Sequence, residues 1–199
     1  MQLQEFYRQV IGLTDPELIG QCCARTAVHT LKKGEVLIDQ GQTLTHVYFV
    51  LKGVLRSYAV DKSGHEITDS FAWQPGDAAV PNWELRAPAA QRVEALTACE
   101  LAAIPVELAE ELLRTSPEVV RFCVQVLVKA CDRHRAIKAV LYRYSSMERY
   151  RWFLREYPGL IDQISGRCVA SFLGITPVTL SRLRSTLRRQ QAADRAAAE

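Results

Sequence analysis

The sequence lacks a long apolar run and an apolar leader. Its most apolar stretch, residues 119–131, is interrupted by Arg121, Gln125 and Lys129, so no segment approaches the roughly 20 apolar residues of a membrane-spanning helix. The N-terminus has neither the basic start nor the apolar core of a signal peptide. We therefore expect a cytoplasmic protein with no membrane partner.

The sequence also lacks a Cys-x-x-Cys pair, although it contains six cysteines. Zinc and iron–sulfur sites usually need thiolates in close pairs, so we predict no metal site. We expect buried thiols in a reducing compartment. Redox sensing by the adjacent Cys22 and Cys23 is the alternative. The six thiols are Cys22, Cys23, Cys99, Cys123, Cys131 and Cys168.

Arrangements of catalytic residues are missing as well. The four histidines lie in unlike contexts, and we find no Ser-His-Asp order, no paired acids in a glycine-rich setting and no phosphate-binding loop. We therefore predict that the protein is not an enzyme. The composition, 48% apolar and 24% charged, is that of an ordinary globular protein, and 199 residues suffice for one large domain or two small ones.

Basic charge is concentrated at the C-terminal end. Residues 143–199 contain ten arginines against five acidic residues, whereas residues 1–142 contain fifteen basic and seventeen acidic residues. A basic end on a nearly neutral body indicates a polyanionic partner.

The apolar periodicity changes twice along the chain. The first 26 residues have helical spacing, with Asp15 and Pro16 as a cap and first-turn pair. Between residues 27 and 104 apolar residues alternate, and glycines recur every 7 to 12 residues from Gly34 to Gly76. Short strands with evenly spaced turns predict a sandwich or a barrel-like roll. Helical spacing returns from Pro105 onward, so the fold class is α+β.

The longest predicted helix follows Ser116 and Pro117, a helix start. Apolar residues recur along it with alternating spacings of three and four, which predicts a coiled-coil seam between two copies of the chain. The alternative is a helix that lies on the core of its own domain. The predicted dimer seam consists of Val120, Cys123, Leu127, Ala130, His134, Ile137 and Leu141, and the same spacing reaches Tyr144.

Residues 166–189 have the pattern of a helix–turn–helix motif. Gly174 suits the left-handed turn between two helices, and Thr176 and Pro177 suit the start of the second. The outer face of that helix carries small and basic side chains, which a recognition helix needs; a structural motif with a solvated basic face is the alternative. The predicted DNA-binding residues are Arg167, Thr176, Val178, Thr179, Ser181, Arg182, Arg184 and Arg188.

Taken in order, these segments resemble the Crp/Fnr family of transcription regulators. The resemblance is carried by Lys33 to Gly53, Val93 to Leu101 and Leu173 to Arg182. It implies a cyclic-nucleotide-binding-like β-roll, which is a jelly-roll-like double-stranded β-helix, followed by a dimerisation helix and a winged helix–turn–helix. We place these three parts at residues 1–115, 116–144 and 145–199. It also implies a homodimer on double-stranded DNA, with recognition helices about 34 Å apart, and contact with RNA polymerase.

The chain departs from the family where cyclic AMP would bind. The resemblance implies Gly-Glu followed by Arg-Ser or Arg-Thr, and an arginine that pairs with the cyclic phosphate. Here Gly76 and Asp77 take the first positions, and Ala89 and Ala90 the second. We therefore predict no cofactor and no ordinary response to cyclic AMP. In the alternative reading another arginine replaces the missing one, and the candidate pocket residues are Asp77, Trp83, Arg86 and Arg92.

Two further family features bear on function. Members that carry an iron–sulfur cluster have clustered N-terminal cysteines, which Cys22 and Cys23 do not provide, whereas haem-sensing members place a ligand near the long helix. His134 could be such a ligand, or a residue that packs in the seam. Many relatives also read cytosine with a glutamate near the start of the recognition helix. Val178 stands there instead, so we expect a different target sequence.

Overall fold

The N-terminal segment is helical, as predicted. The structure is a computed structural model that describes residues 1–82 and 84–196. Helix α1, Leu3–Glu5, continues into a π-helical stretch, Phe6–Ile11, and helix α2 spans Pro16–Arg25. The Asp15 carboxylate caps α2 by accepting a hydrogen bond from the Glu17 backbone N–H at 2.9 Å.

Seven antiparallel strands form a roll of two facing sheets. One sheet has the order β1-β7-β3 and the other β2-β6-β4-β5. The turn of residues 61–65 joins β4 and β5 in an antiparallel hairpin, and Gly64 takes a φ of 81° there. Between the sheets lies a core that includes Val50, Leu55 and Leu101. The strands are Ala27–Leu31 (β1), Val36–Ile38 (β2), His46–Lys52 (β3), Leu55–Val60 (β4), Glu66–Ala72 (β5), Arg92–Ala95 (β6) and Cys99–Pro105 (β7).

In the described part of the chain, six helices follow the roll. The Ser116 hydroxyl accepts a hydrogen bond from the Val119 N–H and so caps the 27-residue helix α4. Ser145 and Glu148 form a capping box at α5. The described part of the chain contains no helix long and apolar enough to cross a membrane. The helices are Val106–Thr115 (α3), Pro117–Arg143 (α4), Ser146–Glu156 (α5), Leu160–Gln163 (α6), Gly166–Phe172 (α7) and Pro177–Ala196 (α8).

The two ends of helix α4 pack against different parts of its own chain. Val119 and Phe122 join a core with the N-terminal helices and strand β3, whereas Val140 joins a core shared by the C-terminal helices and Phe71 of β5. The predicted seam is therefore divided. Cys123 and Ile137 pack against these cores of the same chain, but Val120 and Leu127 remain about 40% exposed.

The prediction of a wing is wrong for the residues described. No strand follows β7 in the part of the C-terminal region that the structure covers. Instead α8 continues for 20 residues to Ala196. Leu183 and Leu187 extend its packed face beyond the length of a short recognition helix, which accounts for the continuing helix. The division at residues 115 and 144 stays a prediction.

Candidate nucleic-acid interface and roll cavity

The turn between α7 and α8 is built as the sequence predicts. Gly174 has a φ of 63°, in the left-handed region. The Ile175 N–H donates to the Ala170 carbonyl at 3.0 Å and closes the end of α7. The Thr176 hydroxyl accepts a hydrogen bond from the Thr179 N–H at 3.1 Å and caps α8. These bonds fix the angle at which α8 leaves the turn.

Helix α8 has one packed face and one open face. Leu180 is buried, and Leu183 and Leu187 pack against the same core. Val178, at 61% exposure, lies on the open face at the first turn. A surface of small and basic side chains results, which we call the α8 outer face. It consists of Val178, Ser181, Arg182, Ser185, Arg188 and Arg189, all exposed.

Arg184, a predicted phosphate contact, lies apart from the α8 outer face, and its contact with DNA stays a prediction. This side chain is half-buried and its Nη2 donates to the Ile161 carbonyl at 3.4 Å. It therefore ties α8 to α6 rather than joining the α8 outer face. Arg167 is exposed in the first turn of α7. The hydroxyls of Thr176 and Thr179 lie 2.9 Å apart and hydrogen-bond to each other within the cap.

Helix α7 rests on the free edge of the roll. Strand β5 is the last strand of its sheet, so one of its edges has no strand partner. The Ser171 hydroxyl accepts a hydrogen bond from the Thr68 N–H at 2.9 Å and donates to the Glu66 carbonyl at 2.8 Å. One side chain of the helix–turn–helix thus satisfies two backbone groups of the edge.

A cavity of about 430 Å³ lies between the roll and α4. Asp77 and Ala90 line it, as the register with the family implies, and Ala89 is buried beside it. The Asp77 carboxylate accepts hydrogen bonds from the Trp73 and Gln74 N–H groups. It also lies 3.4 Å from the Lys129 ammonium. This carboxylate closes its own loop and pairs with α4.

The two arginines considered as replacements for the family's phosphate-binding arginine lie outside the cavity. Arg86 forms a two-bond pair with Glu110, both bonds 2.8 Å, and holds the pKa of that carboxyl below its usual range. Arg92 pairs in the same way with Asp39 and lowers its pKa. Neither lines the cavity, so the alternative based on them is not supported. Trp83 lies outside the described residues.

Sequence reasoning missed the side chains that α4 turns toward the cavity. Val126, Lys129 and Arg133 line it, together with Ala130, His134 and Ile137 of the predicted seam. A spacing of three and four also links Val126, Lys129 and Arg133, but that spacing was used only to define the dimer seam.

The cysteines divide by burial. Cys22, Cys99 and Cys168 are buried, as expected, whereas Cys131 is exposed. Burial raises the pKa of the Cys22 thiol to about 11 and also raises that of Cys23, which disfavours the reactive thiolate. Among the described residues no three metal-ligating side chains come together.

Comparison with known proteins finds a matching domain family and similar proteins. The family of cyclic nucleotide-binding domains matches residues 28–116. The transcriptional activator protein FnrA of Stutzerimonas stutzeri is 29% identical over 126 residues, which cover 62% of this chain and 50% of the relative. The transcriptional activator protein Anr of Pseudomonas protegens is 28% identical over 146 residues, covering 72% and 58%. The chain spans little more than half the length of these relatives.

Solved structures share the fold over a larger part of the chain. FixK2 from Bradyrhizobium japonicum superposes with a TM-score of 0.76 at 22% identity, covering 83% of this chain and 86% of that one. The c-di-GMP-responsive global regulator CLP from Xanthomonas campestris has a TM-score of 0.68 at 17% identity, covering 89% and 93%.

A β-roll joined by one long helix to a helix–turn–helix defines the class of regulators built on a cyclic nucleotide-binding domain. The predicted resemblance to Crp/Fnr-family regulators is confirmed by these comparisons, and so is the predicted architecture of roll and helix–turn–helix. These relatives are transcriptional activators by name, and that this chain is not an enzyme stays a prediction.

Proposed function

We propose that this protein is a sequence-specific, DNA-binding regulator of transcription that acts as a homodimer on a two-fold-symmetric site in the cytoplasm. The observation that carries the proposal is the α8 outer face, where three exposed arginines and three small side chains stand free of the packed face. Its first turn fits a major groove, and its later arginines suit phosphates.

The residue roles follow from position along α8. Val178 and Ser181 lie in the first two turns and can reach base edges, with Val178 suited to a thymine methyl. Arg182 suits a two-bond contact with guanine. Arg188 and Arg189 lie further along the same face and suit the phosphate backbone. Arg167, exposed at the start of α7, suits a phosphate as well.

Salt dependence tests whether this face binds DNA. Each phosphate contact releases counterions, so affinity should fall steeply with salt, and Arg188→Ala should lower the slope of log K against log salt by about 1. Arg135→Ala serves as the control, because Arg135 is also an exposed arginine but lies on α4 rather than α8. A roll that only senses a ligand, with a helix–turn–helix that no longer binds DNA, would show no salt-dependent binding.

The second copy is proposed to pack on the first half of α4. Four apolar side chains are exposed there at helical spacing, an arrangement that we call the α4 apolar row. Such a row is unfavourable in water, and a second copy of the same helix would cover it with matching heptads. The row consists of Val120, Val124, Leu127 and Val128.

The roll is proposed as a sensor that does not use cyclic AMP in the usual way. Ala90 offers no group for a cyclic phosphate, and Arg86 and Arg92 are paired outside the cavity. The cavity of about 430 Å³ favours a small-ligand function alongside DNA binding. Contact with RNA polymerase remains part of the proposal as the family resemblance implies it.

A further inference from the structure

The α4 apolar row leads into two side chains of the types that bind transition metals. Val120, Val124 and Leu127 are followed, at the same spacings of four and three, by Cys131 and His134. Residues at these spacings share one face of a helix. Cys131 and His134 are both exposed. The row therefore passes from an apolar part to a thiol and an imidazole that lie one turn apart.

One chain alone does not complete a metal site at this place. Cys131 and His134 supply two ligands, and the described residues contain no group of three His, Cys, Asp or Glu side chains that could hold an ion. The Asp132 carboxylate, next in sequence, lies 3.8 Å from the Arg135 guanidinium. A stable site therefore needs ligands from another molecule, because structural zinc takes four.

The distribution of side chains along α4 favours a parallel pair of helices. The α4 apolar row lies in the first half of the helix, whereas the exposed Asp132, Arg135 and Lys138 lie in the second half. An antiparallel partner would set the row against these charges, and a parallel partner sets it against a second apolar row. In a parallel, two-fold-symmetric pair each residue of the row faces its own copy. Two copies of Cys131 and two of His134 then meet at the axis.

The spacing of the two side chains suits a tetrahedral ion. A helix rises about 1.5 Å per residue, so Cys131 and His134 lie about 4.5 Å apart along the axis. An ion between the two turns can then accept sulfur at about 2.3 Å and nitrogen at about 2.0–2.1 Å, the distances of zinc sites. Two thiolates and two imidazoles are a common ligand set of structural zinc. The two thiolates also balance the divalent charge, so the nearby Arg135 and Lys138 face a neutral site.

An ion would also remove a cost of burying these groups in a seam. Polar side chains at seam positions lower the stability of a coiled coil. An imidazole N–H that is shut away from water without an acceptor costs further free energy. A bound cation takes one ring nitrogen from each His134 and the sulfur from each Cys131, and the second ring nitrogen can reach the solvent at the edge of the seam.

We propose that the homodimer binds one Zn²⁺ ion at its two-fold axis through Cys131 and His134 of both copies. Binding releases the two thiol protons to solvent. The proposal rests on the homodimer of the proposed function and adds an ion to it. The sequence argument against a metal site concerned close pairs of thiolates within one chain, whereas here the symmetry of the dimer supplies the pair.

The first test measures metal binding by the untagged full chain in the presence of a reductant. We expect one Zn²⁺ per two chains. Co²⁺ in the same site should show the visible and thiolate charge-transfer absorption of tetrahedral coordination. Cys131→Ser and His134→Ala should each weaken zinc binding at least about tenfold.

Two matched variants serve as controls for the metal titration. Cys23→Ser changes a half-buried thiol on α2, and His65→Ala changes an exposed imidazole in the hairpin. Both should bind zinc as the wild type does. One ion per chain, an equal loss of affinity in the control variants, or no zinc binding to the wild type would overturn the proposal.

The second test separates the ion from the dimer. Sedimentation equilibrium in EDTA measures the association of the metal-free chain. Buffered zinc should tighten the dimer at least about tenfold in the wild type and not in Cys131→Ser. Zinc should also slow the alkylation of Cys131 by iodoacetamide at least about tenfold relative to the metal-free protein.

The two ways of failing are distinguishable in this second test. A dimer in EDTA that zinc neither tightens nor protects from alkylation would overturn the metal site and leave the homodimer standing. A chain that is monomeric in EDTA and in zinc alike would overturn the homodimer, and the metal site with it.

Discussion

Among the side chains of the α8 outer face, Arg182 is the one best suited to distinguish one DNA base pair from another. It is exposed and makes no ion pair with the described residues, so its five donors are available to a base edge. We predict that Arg182→Ala lowers affinity for the preferred site by about 1–3 kcal/mol and relaxes selectivity at one base pair in each half-site. Competition binding with single-base variants of the site measures both effects. Full discrimination by Arg182→Ala would contradict the assignment.

Cys22 is predicted to be a structural thiol rather than a redox sensor. It is 1% exposed, and burial raises its pKa to about 11, so thiolate and access are both lacking near neutral pH. In the folded protein at pH 7 we expect iodoacetamide to label Cys131 and to leave Cys22 unlabelled, as measured by mass spectrometry of peptides. After unfolding, both should be labelled. Labelling of Cys22 at the rate of Cys131, or a Cys22–Cys23 disulfide under mild oxidant, would restore the sensor interpretation.

The side chains whose contacts within the chain the sequence did not predict are the long ones. Val178 and Arg182 are exposed, as local helical spacing predicted. Arg184, Arg86 and Arg92 were assigned to ligands but bond to Ile161, Glu110 and Asp39. Those partners lie 23 to 53 residues away in sequence. A flexible side chain selects its partner by tertiary proximity, which periodicity does not encode.

At the scale of elements, the α4 apolar row is the feature that requires a partner. Leu127 is 40% exposed, so Leu127→Glu should leave the monomer folded. In a dimer it would bury two unpaired carboxylates, and we predict that dimer affinity falls by at least about 100-fold, or ~3 kcal/mol. Sedimentation equilibrium measures this change.

Val36→Glu is the matched control for the row. Val36 is 44% exposed on the roll, so this control also replaces an exposed aliphatic side chain with glutamate, but away from α4. We expect it to leave the association state unchanged. If Leu127→Glu associates as strongly as Val36→Glu, the copies do not meet at this row.

Local patterns predicted the elements well, for identifiable reasons. Asp15, Ser116 and Thr176 begin helices through short-range hydrogen bonds, and Gly64 and Gly174 permit left-handed turns. These signals act within a few residues. The predicted seam stays a prediction, and its residues on α4 fall into two groups. Cys123 and Ile137 pack within the chain, whereas Val120 and Leu127 remain exposed.

At the scale of the whole molecule, Ser171 joins the helix–turn–helix to the roll. Its hydroxyl bonds both the Thr68 N–H and the Glu66 carbonyl of strand β5. Removing it costs two hydrogen bonds, about 1–2 kcal/mol in total. We predict that Ser171→Ala speeds hydrogen exchange of the Thr68 amide about tenfold or more, as the α7 contact opens more often.

A serine on the neighbouring helix provides the comparison for Ser171. Ser185 is exposed on α8, and its hydroxyl bonds only the Ser181 carbonyl of the same helix. Ser185→Ala should therefore leave the Thr68 amide unaffected. Unchanged exchange of the Thr68 amide in Ser171→Ala would show that this contact does not hold the two parts together.

The contact between roll and C-terminal helices was not predictable from the sequence. Residues 68 and 171 are 103 positions apart, and no periodicity links them. Their shared core, with Phe71 packed against Phe153 and Phe172, arises because an edge strand and an apolar helix face each need covering. The order of motifs in the sequence was enough to predict the architecture. The contacts between the roll and the C-terminal helices could be identified only from the structure.

The most direct test of the central claim is selection of DNA sites from a random pool by the purified protein, with no effector added and at about physiological salt. The account predicts enrichment of a two-fold-symmetric site with half-sites about 34 Å apart, one helical turn. In sites selected by the Arg182→Ala variant, the base preference at one position of each half-site should disappear. Recovery of unselected sequence, with no symmetric site, would contradict a regulator that reads DNA without a ligand.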